Sequence, residues 1–295
     1  MKKISTLLML LCIVVFSANA QLLWKVSGKD LSQPSYIFGT HHLAPISITD
    51  SIPGFQQAMN ETQQVYGELL MEKMQTPENI QKMQQAVVMP GDTTLHTLFN
   101  ESQYDSVAVV IKQLMGIDLK MLDKMKPAFI SNQMALILAM KVLKGFNPQE
   151  QLDTWVQSEA KKSGKATAGL ETMDFQMHVL FNSQSLQRQA EQLIHSVINM
   201  EQMEKQVLKI TSAYMSQDLK KLETAFTEKM GNASDPLPEE EETLIYGRNA
   251  NWAKIMPAIM KEKPTLFAVG SGHLPGERGV LNLLKLQGYT IEPVK

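Results

Sequence analysis

Two segments of the chain close an apolar run with the same short device. Residues 36–42 read YIFGTHH and residues 266–273 read LFAVGSGH, so each run ends in glycine with a histidine three positions later. The histidines are His42 and His273. A third apolar pair, Val65-Tyr66, leads into Gly67-Glu68. Glycine at a strand exit permits a sharp turn, or the close approach of another backbone or a ligand. Side chains just past the carboxyl ends of strands stand where open α/β sheets place their sites. If the three strands are neighbours, His42, Glu68 and His273 converge. Two neutral imidazoles and a carboxylate suit a divalent metal with one position open to water. Such a metal lowers the pKa of its water towards ~7 and so makes a nucleophile without serine or cysteine. Gly-x-x-His is a loose pattern, and turn glycines with capping histidines would leave the same trace.

Other chemistries are excluded by composition. The single cysteine, Cys12, lies in the apolar run 7–16, between Lys2-Lys3 and the small residues that end at Ala20. That three-part layout is the pattern of a secretory signal peptide over residues 1–20. Its removal leaves a chain without cysteine, hence without disulfides, thiolate metal sites or a cysteine nucleophile. Loss of Lys2 and Lys3 takes the formal net charge from −2 to −4. With no long basic run, nucleic acid is not an expected partner. No later apolar stretch reaches the ~20 residues that span a bilayer, so stable membrane insertion is not expected and the protein is expected to be exported, periplasmic or extracellular. The 20 methionines recur at helical spacing and read as core filler.

The elements that must position these groups can be read from periodicity. Residues 22–26 and 36–38 predict a hairpin, Phe55, Ala58 and Met59 fall at helical spacing, and residues 166–170 predict a strand. Residues 77–160 and 172–230 are helical in pattern, with Pro77 and Pro127 suited to first turns and Gly145 and Pro148 ending a helix. The acidic run 239–242 suits the first turn of a further helix. Residues 265–269 predict a strand, 280–286 a helix and 289–293 a last strand. Strands at both ends with helices between them predict an α/β or α+β fold. Its central sheet would be built from N- and C-terminal segments of one domain over residues 21–295, with a large helical insertion at about 77–262.

The motifs together resemble the TraB/GumN/Tiki family. The resemblance runs through YIFGTHH, residues 52–68 (IPGFQQAMNETQQVYGE) and VGSGHLPGERGVLNLLKLQGYTIEP. Between them TLHTLF at 94–99, Lys126-Pro127, Gly169-Leu170-Glu171-Thr172 with Gln176, and Tyr246-Gly247-Arg248-Asn249 with Trp252 also match, covering roughly 22–294. The family is similar to the erythromycin esterase and ChaN-like group of α/β folds, and its animal Tiki members act as metal-dependent proteases. The resemblance implies that His42, Glu68 and His273 bind a divalent metal (Mn²⁺, Co²⁺ or Zn²⁺) or act directly on the attacking water. It implies a catalytic set of Glu68, Glu171, Arg248 and Asn249. Glu171 would be a second carboxylate, and Arg248 would bind a substrate carboxylate or a developing oxyanion. Asn249 would orient either group. His41 departs from the family pattern and reads as a packed or exposed neighbour. His96, His178 and His195 read as surface or satisfied core residues, and Trp252 as core.

The expected function is therefore a metal-dependent hydrolase, most simply a peptidase, acting on a peptide or small-molecule substrate. An esterase would use the same residues. A non-catalytic protein that binds a peptide signal or haem in the same cleft is the alternative of a different class, with Tyr66 and Tyr246 as the tyrosines that keep haem open.

Overall fold

The computed structural model describes residues 22–295, and the expected signal peptide lies outside the described residues. Among the described residues six strands form one mixed sheet: β1 (Leu23–Ser27), β2 (Ser35–Thr40), β3 (Gln64–Gly67), β4 (Ala166–Gly169), β5 (Thr265–Gly270) and β6 (Thr290–Pro293). Their order is β4-β3-β5-β2-β1-β6. The first four run parallel to one another, while β1 pairs antiparallel with both β2 and β6. The fold is α/β, and strands from the two ends of the chain alternate at its centre.

Period-2 alternation in the central strands explains the layers. Tyr36 and Phe38 of β2, with Leu266 and Ala268 of β5, enter a core beneath the helices Phe55–Glu61, Leu152–Lys162, Met200–Met215 and Leu219–Thr227. Ile37, Phe267 and Val269 point the other way and pack under Gly247–Glu262 and Val280–Leu286. A strand buried on both faces reads as a continuous apolar run, which is the pattern of residues 36–38 and 265–269. Full burial of a Phe or Leu side chain contributes roughly 1.5–3 kcal/mol each before entropy.

Between β3 and β5 the chain is helical apart from β4, which docks on β3 at the sheet edge. Much of the helical part has a core of its own, in which Leu95, Val107, Ile111, Ile130, Met134 and Leu193 pack away from the sheet. Pro127 does open the long helix Pro127–Val142, and Gly116 ends Glu101–Met115 in a left-handed cap. The acidic run places Glu239, Glu240 and Glu241 in the first turn of the short helix Pro238–Glu241. A π-helical turn, Glu242–Tyr246, then leads into Gly247–Glu262. Such wide turns recur at functional sites, and this one delivers Arg248.

Candidate active site

The carboxyl ends of β2, β3, β4 and β5 lie level, because Gly39 pairs with Val269, and Gly67 pairs with both Ala268 and Gly169. The motif glycines serve close approach. A Cβ on Gly39 would lie 2.7 Å from Leu274 Cδ1 and 3.1 Å from the Cβ of Ser271, so each motif packs on the other. A Cβ on Gly270 would lie 3.1 Å from Glu68 Oε1. Neither glycine has a positive φ, so the sharp turn that glycine would also permit is not its purpose here.

The first motif ends in a histidine–carboxylate pair. Asp153, at the start of Leu152–Lys162, is buried and accepts from the Thr40 hydroxyl at 2.7 Å. Its other oxygen lies 2.9 Å from Nδ1 of His42. The Asp153 charge and hydrogen bond raise the His42 pKa to about 9, against partial desolvation of the ring by its surroundings. The His42 side chain itself is 66% exposed, with Nε2 left over for the cleft. Burial opposes the Asp153 charge, yet His42 and Thr40 hold its carboxyl below the usual range.

The second motif is built on the opposite principle. His273 is buried, with Nδ1 2.7 Å from Asn249 Oδ1, while Asn249 Nδ2 donates to the Arg278 carbonyl at 2.9 Å. The amide orientation therefore puts the imidazole proton on Nδ1 and the lone pair on Nε2. That lone pair lies 3.2 Å from Arg248 Nη1 and 3.9 Å from Glu68 Oε1. Burial first, and then the Arg248 charge, pull the His273 pKa down to about 4, so the ring is neutral.

Arg248 joins this histidine to two carboxylates. Nη2 donates to Glu68 Oε2 at 2.5 Å and to Glu171 Oε2 at 2.9 Å, and Nε to Glu171 Oε1 at 2.8 Å. Nη1 also donates to the Leu244 carbonyl at 3.2 Å. Trp252 Nε1 and Gln176 Nε2 complete the Glu171 carboxylate at 2.8 and 3.3 Å. Glu68 also accepts from the Gly270 N–H at 2.8 Å and from Gln176 at 3.1 Å. Burial raises the Glu68 pKa, but Arg248, His273 and Gly270 together bring it below the ordinary value.

His42, Glu68, Arg248 and His273 thus line one cavity of about 290 Å³, walled also by Phe226 and Ile245. Glu171 and Asn249 lie behind that wall. All five Arg248 N–H groups are used within the protein, so the substrate or oxyanion role implied for it has no free donor in this arrangement. Asn249 holds the His273 ring through Nδ1, a contact the resemblance did not imply for it. Sequence reasoning missed Asp153, which looks like any acidic residue in a helix's first turn. It also understated Trp252, a core residue whose indole N–H serves the site. His41 is half-buried between Thr211 and Tyr214, at 3.1 Å from the Thr211 hydroxyl. Tyr66 packs on Phe267 and Tyr246 lies under Arg278, and neither lines this cavity.

Residues 22–293 match the model of the TraB/PrgY/gumN family. The chain belongs to that family. TraB-family relatives include Metalloprotease TIKI2 of Danio rerio, 24% identical over 92% of this chain and 60% of the relative. Metalloprotease TIKI1 of Danio rerio is 22% identical over 88% of this chain and 60% of its own length. A Metalloprotease TIKI homolog of Nematostella vectensis is 23% identical over 92% and 67%. The chain spans about three-fifths of the length of the first of these relatives. No solved structure matches it at the same stringency.

The relatives' name implies a divalent metal. The donor types in this TraB-family cleft are those a metal takes, but their arrangement does not fit one. Among the described residues no group of three or more His, Cys, Asp or Glu side chains is disposed to hold an ion. Glu68 Oε2 and His273 Nε2 face the Arg248 guanidinium, and His42 Nδ1 is given to Asp153. The expected trio of His42, Glu68 and His273 shares a cavity without forming a coordination set.

Proposed function

We propose that this chain is a hydrolase that cleaves a peptide bond in the cleft at the carboxyl ends of β2, β3 and β5. The observation that carries this reading is that Glu68, held by Arg248 and the Gly270 N–H, and His42, held by Asp153, stand on the walls of one cavity. Glu68 Oε1 accepts a single hydrogen bond, from Gly270, and keeps acceptor capacity for a water. Glu68 would take a proton from that water as it attacks the carbonyl. His42, held through Nδ1 by Asp153, would donate from Nε2 to the leaving nitrogen. Arg248 keeps Glu68 ionised and in place rather than touching substrate.

The names of the relatives support a peptide substrate and a metal requirement. A divalent metal, where bound, supplies a Lewis acid and an activated water; the arrangement of Glu68 and His273 does not fit one. Export follows from the expected signal peptide, and no helix among the described residues is long and apolar enough to cross a membrane. Cleavage of a mixed peptide library, followed by mass spectrometry for the wild type, Glu68→Gln and His42→Asn, tests the reading. Cleavage that falls at least ~100-fold in both variants, as loss of acid–base groups predicts, would support it. Cleavage unchanged in both would end it.

A further inference from the structure

The Arg248 guanidinium lies in a cage made wholly of acceptors. Two carboxylates, one backbone carbonyl and one imidazole lone pair surround its edge at 2.5 to 3.2 Å. The Trp252 ring covers its face, with the guanidinium carbon 4.9 Å from the ring centroid. Five N–H groups meet five acceptor contacts, which is the full capacity of the side chain. The cage matches a planar fork, the shape that distinguishes guanidinium from a compact cation. A divalent ion would need the same lone pairs at about 2.0–2.2 Å, converging on a point. Glu68 Oε2 and His273 Nε2, which such an ion would use, already face a resident cation. His273 has no second nitrogen to offer, because Nδ1 is tied to Asn249.

We infer that Arg248 is the built-in cation of this site, and that the folded chain holds no divalent metal through Glu68 and His273. Any ion that acts with the chain is then held by other residues. This occupancy is independent of the hydrolytic reading; its consequence, that cleavage needs no metal at this position, rests on that reading.

The test begins with metal-stripped protein and a Mn²⁺ titration followed by electron paramagnetic resonance, with Zn²⁺ followed by equilibrium dialysis. Wild type and His273→Ala are expected to take up the same amount of each ion. One equivalent bound by the wild type and lost in His273→Ala would overturn the inference. A second arm uses Arg248→Ala, whose Tm is expected to fall by roughly 10 °C as two buried carboxylates lose their partner. Millimolar methylguanidinium should recover several degrees of that loss by binding the folded cage, whereas Mn²⁺ should not. Recovery by Mn²⁺ and not by methylguanidinium would show a metal cage and overturn the inference. If Arg248→Ala does not fold, the comparison of wild type with His273→Ala decides alone. Both arms read binding without substrate, so a failure to find any cleavage would end the hydrolase reading and leave this one measurable.

Discussion

The two Gly-x-x-His motifs are alike in sequence and opposite in electrostatics. His42 is exposed, tied to a buried aspartate and pulled up to about 9. His273 is buried, tied to an amide and an arginine and pulled down to about 4. One is an imidazolium at neutral pH and the other a neutral ring with a fixed tautomer. The same Gly-x-x-His spacing therefore places a histidine at a strand end, while the helices packed against that end decide its charge. Leu152–Lys162 brings a carboxylate to the first motif, and Gly247–Glu262 brings Asn249 and Arg248 to the second.

The largest way to break this contrast is Arg248→Met. It leaves Glu68 and Glu171, both largely shielded from solvent, without their cation, and urea unfolding should show a loss of about 3 kcal/mol. Trp252→Phe keeps most of the apolar contact but removes the indole donor to Glu171. A hydrogen bond to a charged group is worth about 1.5–3 kcal/mol, and the same urea experiment should show a loss in that range. Trp252→Phe leaves the His42–Asp153 pair and its charges alone, so the His42 titration followed by NMR should stay in place, whereas Arg248→Met removes a charge that lowers the His42 pKa and should move that titration upward.

The pH dependence of stability should divide between the motifs. The His42 pKa is raised on folding, so its contribution is complete below the unfolded value of about 6.5 and is lost as pH rises through about 9. The His273 pKa is lowered, so its contribution is complete above about 6.5 and is lost as pH falls through about 4. Thermal melts across pH should therefore lose part of the alkaline decline in His42→Asn and part of the acid decline in His273→Asn. A swap of the two limbs would invert the assignment. The alkaline limb should be the shallower, because solvent screens the exposed His42. The smallest effect expected is that of His42→Asn at neutral pH, about 1 kcal/mol or less by denaturant unfolding, since one partner of that pair is exposed.

The sheet was legible because its central strands are short apolar runs bounded by glycine and polar residues, and β2, β3 and β5 fall where those runs lie. His42, Glu68 and His273 were legible for the same reason, as ionisable side chains within three residues of three strand ends. Their shared cavity could be expected once those strands are neighbours. Asp153 had no such signal, being 111 positions from its partner His42 and on a helix whose start looks ordinary. Arg248, Glu171 and Asn249 carried a signal only through the family resemblance. For Arg248 every donor is engaged within the protein, and a sequence does not display which hydrogen-bond donors are already spent.

The sequence by itself determined the alternation of apolar runs and helices, the absence of cysteine chemistry and the delivery of three ionisable groups to strand ends. These follow from local periodicity and residue type, which need only neighbours along the chain. The tertiary structure alone decided which histidine is charged and that the acceptors of Glu68 and His273 surround a guanidinium. It also decided that Arg248 has no donor left to give. Those outcomes depend on burial and on partners up to 180 positions away, as for Arg248 and Glu68, and burial sets the strength of a charge's interactions as much as its identity does.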